Sequence, residues 1–178
     1  MRDYEQCDYY SELAGKNYAD MFPDEKHFYL NNRGNSYYYR GDYSTAIGYF
    51  RKVVELVKDY PDMSWALNLS YLNLSDCFLQ LNKTDSVVKY LELCQPFFEE
   101  LGSTTALYYI DTQKIELALQ CKDFAEARRL LAMSKASPEI DADMIHIRNK
   151  YLQQFYEETG NYRQAYDYLK ENKRLDDS

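Results

Sequence analysis

Apolar residues recur every three or four positions through most of the chain, which is the spacing of an amphipathic helix. The clearest stretch, YSTAIGYFRKVVELV at 43–57, places seven such residues on one helical face. These residues are Tyr43, Ala46, Ile47, Phe50, Val53, Val54 and Val57. Further stretches with helical spacing are FYLNNRGNSYYY before it and WALNLSYLNLSDCFLQL after it. No segment alternates between apolar and polar residues as a strand would, so the pattern predicts an all-α fold.

A short polar turn followed by an apolar helix recurs four times along the chain. In each copy a residue at a small position is followed four positions later by a bulky apolar residue. The pairs are Ala46/Phe50, Val87/Leu91, Ala127/Leu131 and Ala165/Leu169, and Cys7 supplies the small position of an N-terminal copy. Successive small positions are 39, 41, 40 and 38 residues apart. Such regular spacing predicts stacked units of one type, each made of two helices joined by a tight turn.

This period divides the chain into a single array over 1–178. Pro61, Gly102 and Pro138 fall between units, where a helix must end. The predicted units are a partial repeat at 1–24 that holds only a second helix, followed by repeats at 25–62, 63–102, 103–137 and 138–178. We expect these units to form a right-handed α-solenoid of antiparallel helix pairs. Because neither end shows a polar capping helix, we also expect the chain to be a piece of a longer array.

The first full repeat contains a distinctive set of small, aromatic and turn residues. They are Gly34, Tyr37, Gly41, Asp42, Tyr43, Ala46 and Phe50. In this order the residues resemble the tetratricopeptide repeat family. The later repeats depart from the pattern, with Val87 in place of alanine and with Ile115 and Gln153 at another small position. The period also exceeds the 34 residues common in that family. The resemblance implies a helical-repeat protein that binds other proteins.

The turn of the first full repeat reads Arg40-Gly41-Asp42, a tripeptide that integrin receptors bind in adhesive proteins. Gly41 can adopt the left-handed backbone that ends a helix, and Asp42 can cap the next helix by accepting a backbone N–H bond. Arg40 places a cation at the C-terminal end of the first helix, which suits the helix dipole. The equivalent turns contain Asn82, Lys122-Asp123 and Gly160-Asn161. Since none of them repeats the tripeptide, the sequence favours a hinge over an adhesion motif.

The composition narrows the classes of partner. The net charge is -8 with a pI near 4.8 and no basic cluster, so we expect no direct nucleic-acid binding and no membrane contact by this chain. The four cysteines form no C-x-x-C pair, and with only two histidines they predict no metal site. Cys7 and Cys94 are expected to pack as small apolar side chains between helices.

No motif for catalysis or cofactor binding is present in the sequence. The phosphate loop, G-x-G-x-x-G, H-E-x-x-H and the nucleophile elbow are all missing. His27 and His146 lie three repeats apart in the predicted stack, so they could not share a site. Adjacent acidic residues such as Glu99 and Glu100 point about 100° apart on a helix, which suits solvation better than acid–base catalysis. We therefore expect no enzyme activity and no cofactor.

In tetratricopeptide arrays the first helix of each unit lines a concave face that binds ligands, and the resemblance transfers those positions to this chain. The implied peptide-binding positions are Asn31, Asn32, Asn35, Tyr38, Leu72, Asn73, Asp76, Leu79, Gln113, Glu116, Lys150 and Gln154, with Thr112, Leu119, Tyr151 and Glu157 completing the register. Asn32, Asn73 and Gln113 occupy the same position in successive repeats, where amides can bind an extended peptide backbone. Capping, packing or hydration of these amides is an equally open interpretation.

The charges at these positions indicate the kind of partner. Lys150 is cationic, whereas Asp76, Glu116 and Glu157 are acidic, and they would repel an anion. A clamp for a terminal carboxylate is therefore rejected, and we expect a protein or peptide with a neutral or basic segment. Apolar pockets for its side chains are expected at Tyr38, Leu72, Leu79 and Tyr109.

Degenerate repeats of about forty residues also resemble arrays that precede a kinase or DNA-binding domain in bacterial regulators. That resemblance implies a sensing or docking module within a larger regulatory protein, in either the cytoplasm or the periplasm, and the sequence favours neither compartment. The alternative is a structural module that self-associates as a homodimer by stacking end to end through its uncapped terminal helices.

Overall fold

The structure, a computed structural model, describes residues 4–133 and 140–178. In these two ranges it contains nine α-helices, two short 3-10 helices and no strand, which confirms the predicted all-α fold. The α-helices are α1 (Tyr4–Gly15), α2 (Pro23–Tyr39), α3 (Tyr43–Val57), α4 (Ser64–Gln80), α5 (Thr84–Leu101), α6 (Thr104–Gln120), α7 (Phe124–Met133), α8 (Ala142–Glu158) and α9 (Tyr162–Asp176). The 3-10 helices span Tyr18–Asp20 and Pro61–Met63. Pro138, predicted to lie between two repeats, is outside the described residues.

The chain divides into two compact units, Met1–Phe97 (unit 1) and Phe98–Ser178 (unit 2). In unit 1, α3 packs against both α2 and α4. In unit 2, α6 packs against α7 and α8, and α8 packs against α9. Helices in each unit therefore pack chiefly on near neighbours in the sequence, as expected of helical repeats. The repeat boundaries proposed from the sequence stay predictions.

Four helix pairs are joined by the same tight turn, namely α2–α3, α4–α5, α6–α7 and α8–α9. The residue with a left-handed backbone is Gly41 (φ 80°), Asn82 (φ 56°), Lys122 (φ 57°) or Gly160 (φ 80°). In each turn two backbone N–H groups donate to carbonyl oxygens of the preceding helix, with N···O distances of 2.8 to 3.1 Å. This arrangement is a Schellman motif, which satisfies carbonyl groups that a helix end leaves unpaired.

The hinge interpretation of Arg40-Gly41-Asp42 is confirmed. Gly41 has the left-handed conformation, and the carboxylate of Asp42 accepts the backbone N–H of Thr45 at 3.1 Å. Asp42 thereby caps α3, and Asp123 caps α7 through the N–H of Glu126 at the same distance. These capping bonds fix where α3 and α7 begin.

The small positions of the four complete copies of the pattern lie in the core, as predicted. Ala46, Val87, Ala127 and Ala165 are all buried. The helices of one pair approach closely at Gly34 of α2, where a Cβ atom would come within 2.6 Å of the Phe50 ring of α3. Glycine at this position therefore allows α2 and α3 to pack with the phenylalanine between them.

At three of the four turns, two aromatic rings stack on each other. One ring belongs to the residue four positions before the left-handed residue, and the other belongs to the residue eight positions after it. The pairs are Tyr37–Tyr49, Phe78–Tyr90 and Tyr156–Tyr168, with ring centroids 5.6, 5.7 and 5.8 Å apart and interplanar angles of 10°, 5° and 3°. At the α6–α7 turn the two corresponding positions are Ala118 and Leu130, and both side chains belong to the hydrophobic core. Repeated stacking between the helices of a pair accounts for part of the chain's twenty tyrosines.

The prediction that two cysteines pack between helices holds for one of them. Cys94 is buried, as predicted, whereas Cys7 is exposed and that prediction is wrong. The reason is that α1 buries none of its residues, so its repeat-like register does not correspond to a packed face. Cys77 is also buried, and burial raises the pKa of its thiol to about 12, so this side chain packs as a small apolar group.

Candidate functional site

The predicted row of amides is shifted by one residue in unit 1. The side-chain N–H of Asn73 in α4 donates to the side-chain oxygen of Asn31 in α2, at 3.2 Å. Asn32, which the sequence placed in line with Asn73, is exposed on a different part of α2. Asn35 is half-buried. The structure therefore brings together Asn31 and Asn73, and it leaves Asn32 at the surface.

Tyr38 and Asp76, predicted to face the partner, interact with each other and with their neighbours. Asp76 is half-buried, and its carboxylate accepts hydrogen bonds from the amide of Gln80 at 3.2 Å and from Tyr38. Burial raises the pKa of Asp76 above its ordinary value in spite of these hydrogen bonds. The Tyr38 ring also meets the rings of Tyr39 and Tyr43 edge to face. Tyr38 and Asp76 therefore already interact with each other and with neighbouring side chains of unit 1.

Several predicted groove positions are buried, which corrects their assignment to an open surface. They are Leu72, Leu79, Thr112, Gln113 and Leu119. The reason is clearest in α4, where eight of seventeen residues are buried and they occupy more than one face of the helix. A helix covered on several faces cannot present all of its regularly spaced residues to a partner.

The predicted positions in α6 and α8 form local hydrogen bonds within unit 2. The hydroxyl of Tyr151 donates to a carboxylate oxygen of Glu116 at 2.5 Å, and the amide of Gln154 donates to Glu158 at 2.8 Å. Lys150 is exposed. Glu116 and Tyr151 therefore lie together and form a hydrogen bond with each other.

An open cleft in unit 1, which the sequence did not predict, lies between α1, Met21, α2 and the start of α4. We call it the aromatic cleft and define it by Tyr10, His27, Phe28, Tyr29, Asn32 and Trp65. Its volume is about 780 Å³, which is within the range of ligand-binding clefts. Phe28 is 67% exposed and Trp65, the single tryptophan of the chain, is 48% exposed. Two large aromatic side chains therefore remain open to solvent on its walls.

His27 lies beneath the tryptophan in this cleft. It is 4% exposed, and its ring meets the indole of Trp65 edge to face with centroids 4.9 Å apart. Burial lowers the pKa of His27, so the imidazole is neutral at pH 7. Within the part of the chain that the structure describes, the buried Nε2 atom has no hydrogen-bond partner. His27 therefore acts as a packing residue that supports the indole ring.

The charged residues on the rim of the aromatic cleft are mainly acidic. Asp24 and Glu25 lie in the first turn of α2, and both line the cleft. Glu25 also accepts the backbone N–H of Phe22 at 2.8 Å, which caps the helix. Arg33 lines the cleft as well, but it is buried and paired with Asp8. The rim therefore presents negative charge beside an apolar wall.

One carboxylate and two arginines hold α1 in place as a wall of the cleft. Asp8 accepts from Nη1 of Arg33 at 3.1 Å and from Nη1 of Arg40 at 2.9 Å, and we call these three residues the Asp8 cluster. The Arg40 guanidinium also lies 4.6 Å from the centroid of the Tyr37 ring. The hydrogen bond from Arg40, followed by that from Arg33, lowers the pKa of Asp8 below its ordinary value. Because α1 buries no residue, this cluster is an important part of its attachment to α2.

Other classes of site receive no support from the described residues. In residues 4–133 and 140–178, no group of three or more histidine, cysteine, aspartate or glutamate side chains is arranged to hold a metal ion. No helix in these ranges is both long enough and apolar enough to cross a bilayer. The size of the aromatic cleft and the exposure of Phe28 and Trp65 make it the candidate functional site of unit 1.

Comparison with known proteins identifies the type of repeat. Residues 27–60 match the sequence model of the tetratricopeptide repeat. The chain is similar to BtubC (BKLC) from P. vanneervenii, known from a crystal structure, with a TM-score of 0.72 and 17% sequence identity. That similarity covers 98% of this chain and 73% of the other, and at so low an identity it shows the fold alone. A search of curated proteins found no match.

The chain therefore has an all-α helical-repeat fold, and its residues 27–60 form a repeat of the tetratricopeptide type. The repeat at 27–60 covers α2 from His27 onward, the α2–α3 turn and α3, and the same turn joins three further helix pairs. Repeats of this type generally mediate protein–protein interaction, and their fold is typically not enzymatic.

Proposed function

We propose that the aromatic cleft binds a short protein segment whose apolar side chain packs against Phe28 and Trp65. The observation that carries this proposal is the exposure of both rings in a cleft of about 780 Å³. Large aromatic side chains at the centre of a recessed surface are the residues that most often dominate the energy of a protein interface. Asn32, on the same cleft, supplies an amide that can donate to and accept from the bound backbone.

The charge of the cleft favours a segment with neutral or basic flanks. Asp24 and Glu25 lie on the rim, and the whole chain has a net charge of -8. Opposite charges on the partner would accelerate association and disfavour acidic competitors. In this role the chain serves as an interaction module without catalytic activity. Its place within a larger regulatory protein stays a prediction.

Selection from a random 12-residue peptide display library on the full chain tests this proposal. We expect the selected peptides to share an aromatic or large aliphatic anchor with lysine or arginine nearby. Their affinity, measured by anisotropy of labelled synthetic peptides, should fall about tenfold for Trp65→Ala and for Phe28→Ser, which corresponds to about 1.4 kcal/mol. Asn32→Ala should cause a smaller loss. Emission from Trp65 should shift to shorter wavelength when a peptide lacking tryptophan binds the unmodified chain.

The matched control is Phe22→Ser. Phe22 is 72% exposed and immediately precedes the same helix, but it does not line the cleft. Its replacement should leave peptide affinity unchanged. The proposal would be overturned by selected peptides without an apolar anchor, or by equal affinities for Phe28→Ser, Trp65→Ala and the unmodified chain.

A second candidate function is self-association through α9, as the sequence suggested. Tyr162, Tyr166 and Leu169 are spaced by four and three residues on one face of this helix, and all three are exposed. A second copy of the chain could cover this apolar stripe. Light scattering over a concentration series should then reveal a dimer that Tyr166→Ser weakens. A monomer at all concentrations would leave the peptide-binding proposal as the single candidate.

A further inference from the structure

A second cavity lies wholly within unit 2, where residues of α6, α7, α8 and α9 meet. Its volume is about 470 Å³. Tyr108, Leu152, Phe155, Tyr156 and Tyr168 provide apolar and aromatic walls. We call it the arginine cavity, because Arg128 of α7 and Arg148 of α8 also line it. An apolar cavity of this size with a few converging polar groups has the usual form of a small-molecule site.

The charge of this cavity is opposite to that of the chain. Both charged residues among those that line it are arginines, whereas the chain as a whole carries a net charge of -8. Arg148 is 6% exposed, so its positive charge acts through a medium that screens it poorly. Burial lowers the pKa of Arg148, whereas Tyr108 and then the half-buried Asp111 act in the opposite direction. The cavity wall therefore favours a bound negative charge.

Neighbouring groups fix the position of the Arg148 guanidinium. Its Nε and Nη2 atoms donate to the hydroxyl oxygen of Thr112 at 3.0 and 2.8 Å, and Nη2 also donates to the carbonyl oxygen of Tyr108 at 3.2 Å. The guanidinium carbon lies 4.0 Å from the centroid of the Tyr108 ring. A charged group held in one geometry loses little conformational entropy when it binds a ligand. Arg148 is thus preorganised at the cavity wall.

A smaller cavity of about 380 Å³ adjoins this one and shares Arg128, Phe155 and Tyr156 with it. Its other lining residues, Thr159, Asn161 and Gln164, are polar and lie at the α8–α9 turn. Arg128 thus lies where the largely apolar arginine cavity adjoins the smaller cavity with polar lining residues. A ligand with a flat apolar body and an anionic group would match both environments, since guanidinium groups bind oxyanions well and aromatic walls pack against rings.

We propose that unit 2 binds a small organic anion, with its aromatic body between Tyr108, Phe155 and Tyr168 and its oxyanion at Arg148 and Arg128. The site is separate from the aromatic cleft, and neither proposal depends on the other. The ligand class is defined by a planar apolar skeleton that bears one carboxylate, sulfonate or phosphate group.

The test uses two fluorescent probes that share a ring system and differ in charge. The full chain is titrated with 8-anilinonaphthalene-1-sulfonate, which is an anion, and with N-phenyl-1-naphthylamine, which is neutral. For the anionic probe we expect Arg148→Met to weaken binding about tenfold and Arg128→Gln to weaken it about threefold. For the neutral probe the same substitutions should change affinity less than about twofold. Circular dichroism melts establish that each variant is folded before titration.

Arg129→Gln is the matched control. This neighbouring arginine donates to Glu126 at 2.7 Å and does not line the cavity, so its loss should leave both affinities unchanged. If Arg148→Met fails to fold, Arg128→Gln decides the question, because Arg128 is exposed and its replacement leaves the core intact. The proposal is overturned if the two probes lose affinity equally. It is also overturned if Phe28→Ser in the aromatic cleft, and not Arg128→Gln, abolishes binding of the anionic probe.

Discussion

Replacing Gly34 with alanine is expected to lower the free energy of unfolding by about 1–2 kcal/mol. A Cβ atom at this position would lie 2.6, 2.8 and 2.9 Å from three ring atoms of Phe50. Phe50 is itself buried in the core, so its ring has little room to move. Alanine has a helix propensity about 1 kcal/mol better than glycine, and this gain offsets only part of the overpacking. Chemical denaturation followed by circular dichroism measures the change.

The matched control is Gly48→Ala in α3. Gly48 is exposed, and a Cβ atom there would meet nothing within 4 Å. Here the same change should raise the free energy of unfolding by about 0.5–1 kcal/mol. In a chain that already carries Phe50→Leu, Gly34→Ala should lower the free energy of unfolding by less than it does in the unmodified chain. The reason is that the smaller leucine side chain leaves space for the added methyl group. Equal stabilisation by both alanine substitutions would contradict the close packing of α2 on α3.

Replacing Asp8 with asparagine is expected to lower the free energy of unfolding by about 2 kcal/mol at pH 7. The change removes the carboxylate that accepts from Arg33 and Arg40, and Arg33 is buried. A buried guanidinium that lacks its anionic partner destabilises the folded state. Because Asp8 is partly exposed, the expected loss in the free energy of unfolding is smaller than for a fully buried ion pair. Denaturation curves at pH 7 measure the difference between the two proteins.

The pH dependence separates charge from packing. Because the pKa of Asp8 is lowered in the folded chain, its stabilising contribution is complete above the ordinary aspartate pKa of about 3.9. The contribution is lost as the pH falls through the lowered pKa, so the unmodified chain and Asp8→Asn should converge in acid. Glu55→Gln removes the exposed ion pair with Lys58 and should have little measurable effect. If the two proteins still differ by the same free energy of unfolding in acid, the effect of Asp8→Asn comes from altered packing and not from the lost charge.

The turns and the small positions could be predicted from the sequence because both are local. A left-handed residue and a buried position a few residues later occupy one short segment that the chain repeats four times, and three of the copies add a side-chain cap. Gly41, Asp42 and Ala46 accordingly have the conformation, capping bond and burial that the pattern predicts. Even Lys122 adopts the left-handed backbone, which costs a non-glycine residue about 1–2 kcal/mol.

The groove was harder to predict because periodicity shows which residues share a face but not what covers that face. Leu72 and Leu74 lie about 200° apart around α4, yet both are buried. The segment WALNLSYLNLSDCFLQL contained a signal for this outcome, since its apolar residues are distributed around the helix, and such helices are usually buried.

The aromatic cleft could not be predicted because it depends on contacts between distant residues. Asp8 pairs with Arg33 and Arg40, which are 25 and 32 residues away, and these pairs position α1 beside α2. Charged residues are frequent in this chain, and sequence spacing alone does not show which of them will pair. Trp65 and Phe28 gave a weaker signal, as large aromatic residues near the start of first helices.

The Schellman turns have a consequence for how the chain is made. Each one closes a helical hairpin over very few residues, so the two helices meet at a small entropic cost of loop closure. Proteins dominated by such local pairings reach the native state quickly, and helical hairpins can form while later residues are still being synthesised. In a nascent chain of this kind, the two helices of each hairpin would cover each other's apolar residues soon after the hairpin leaves the ribosome. The time during which these residues are exposed and the chain could aggregate is therefore short.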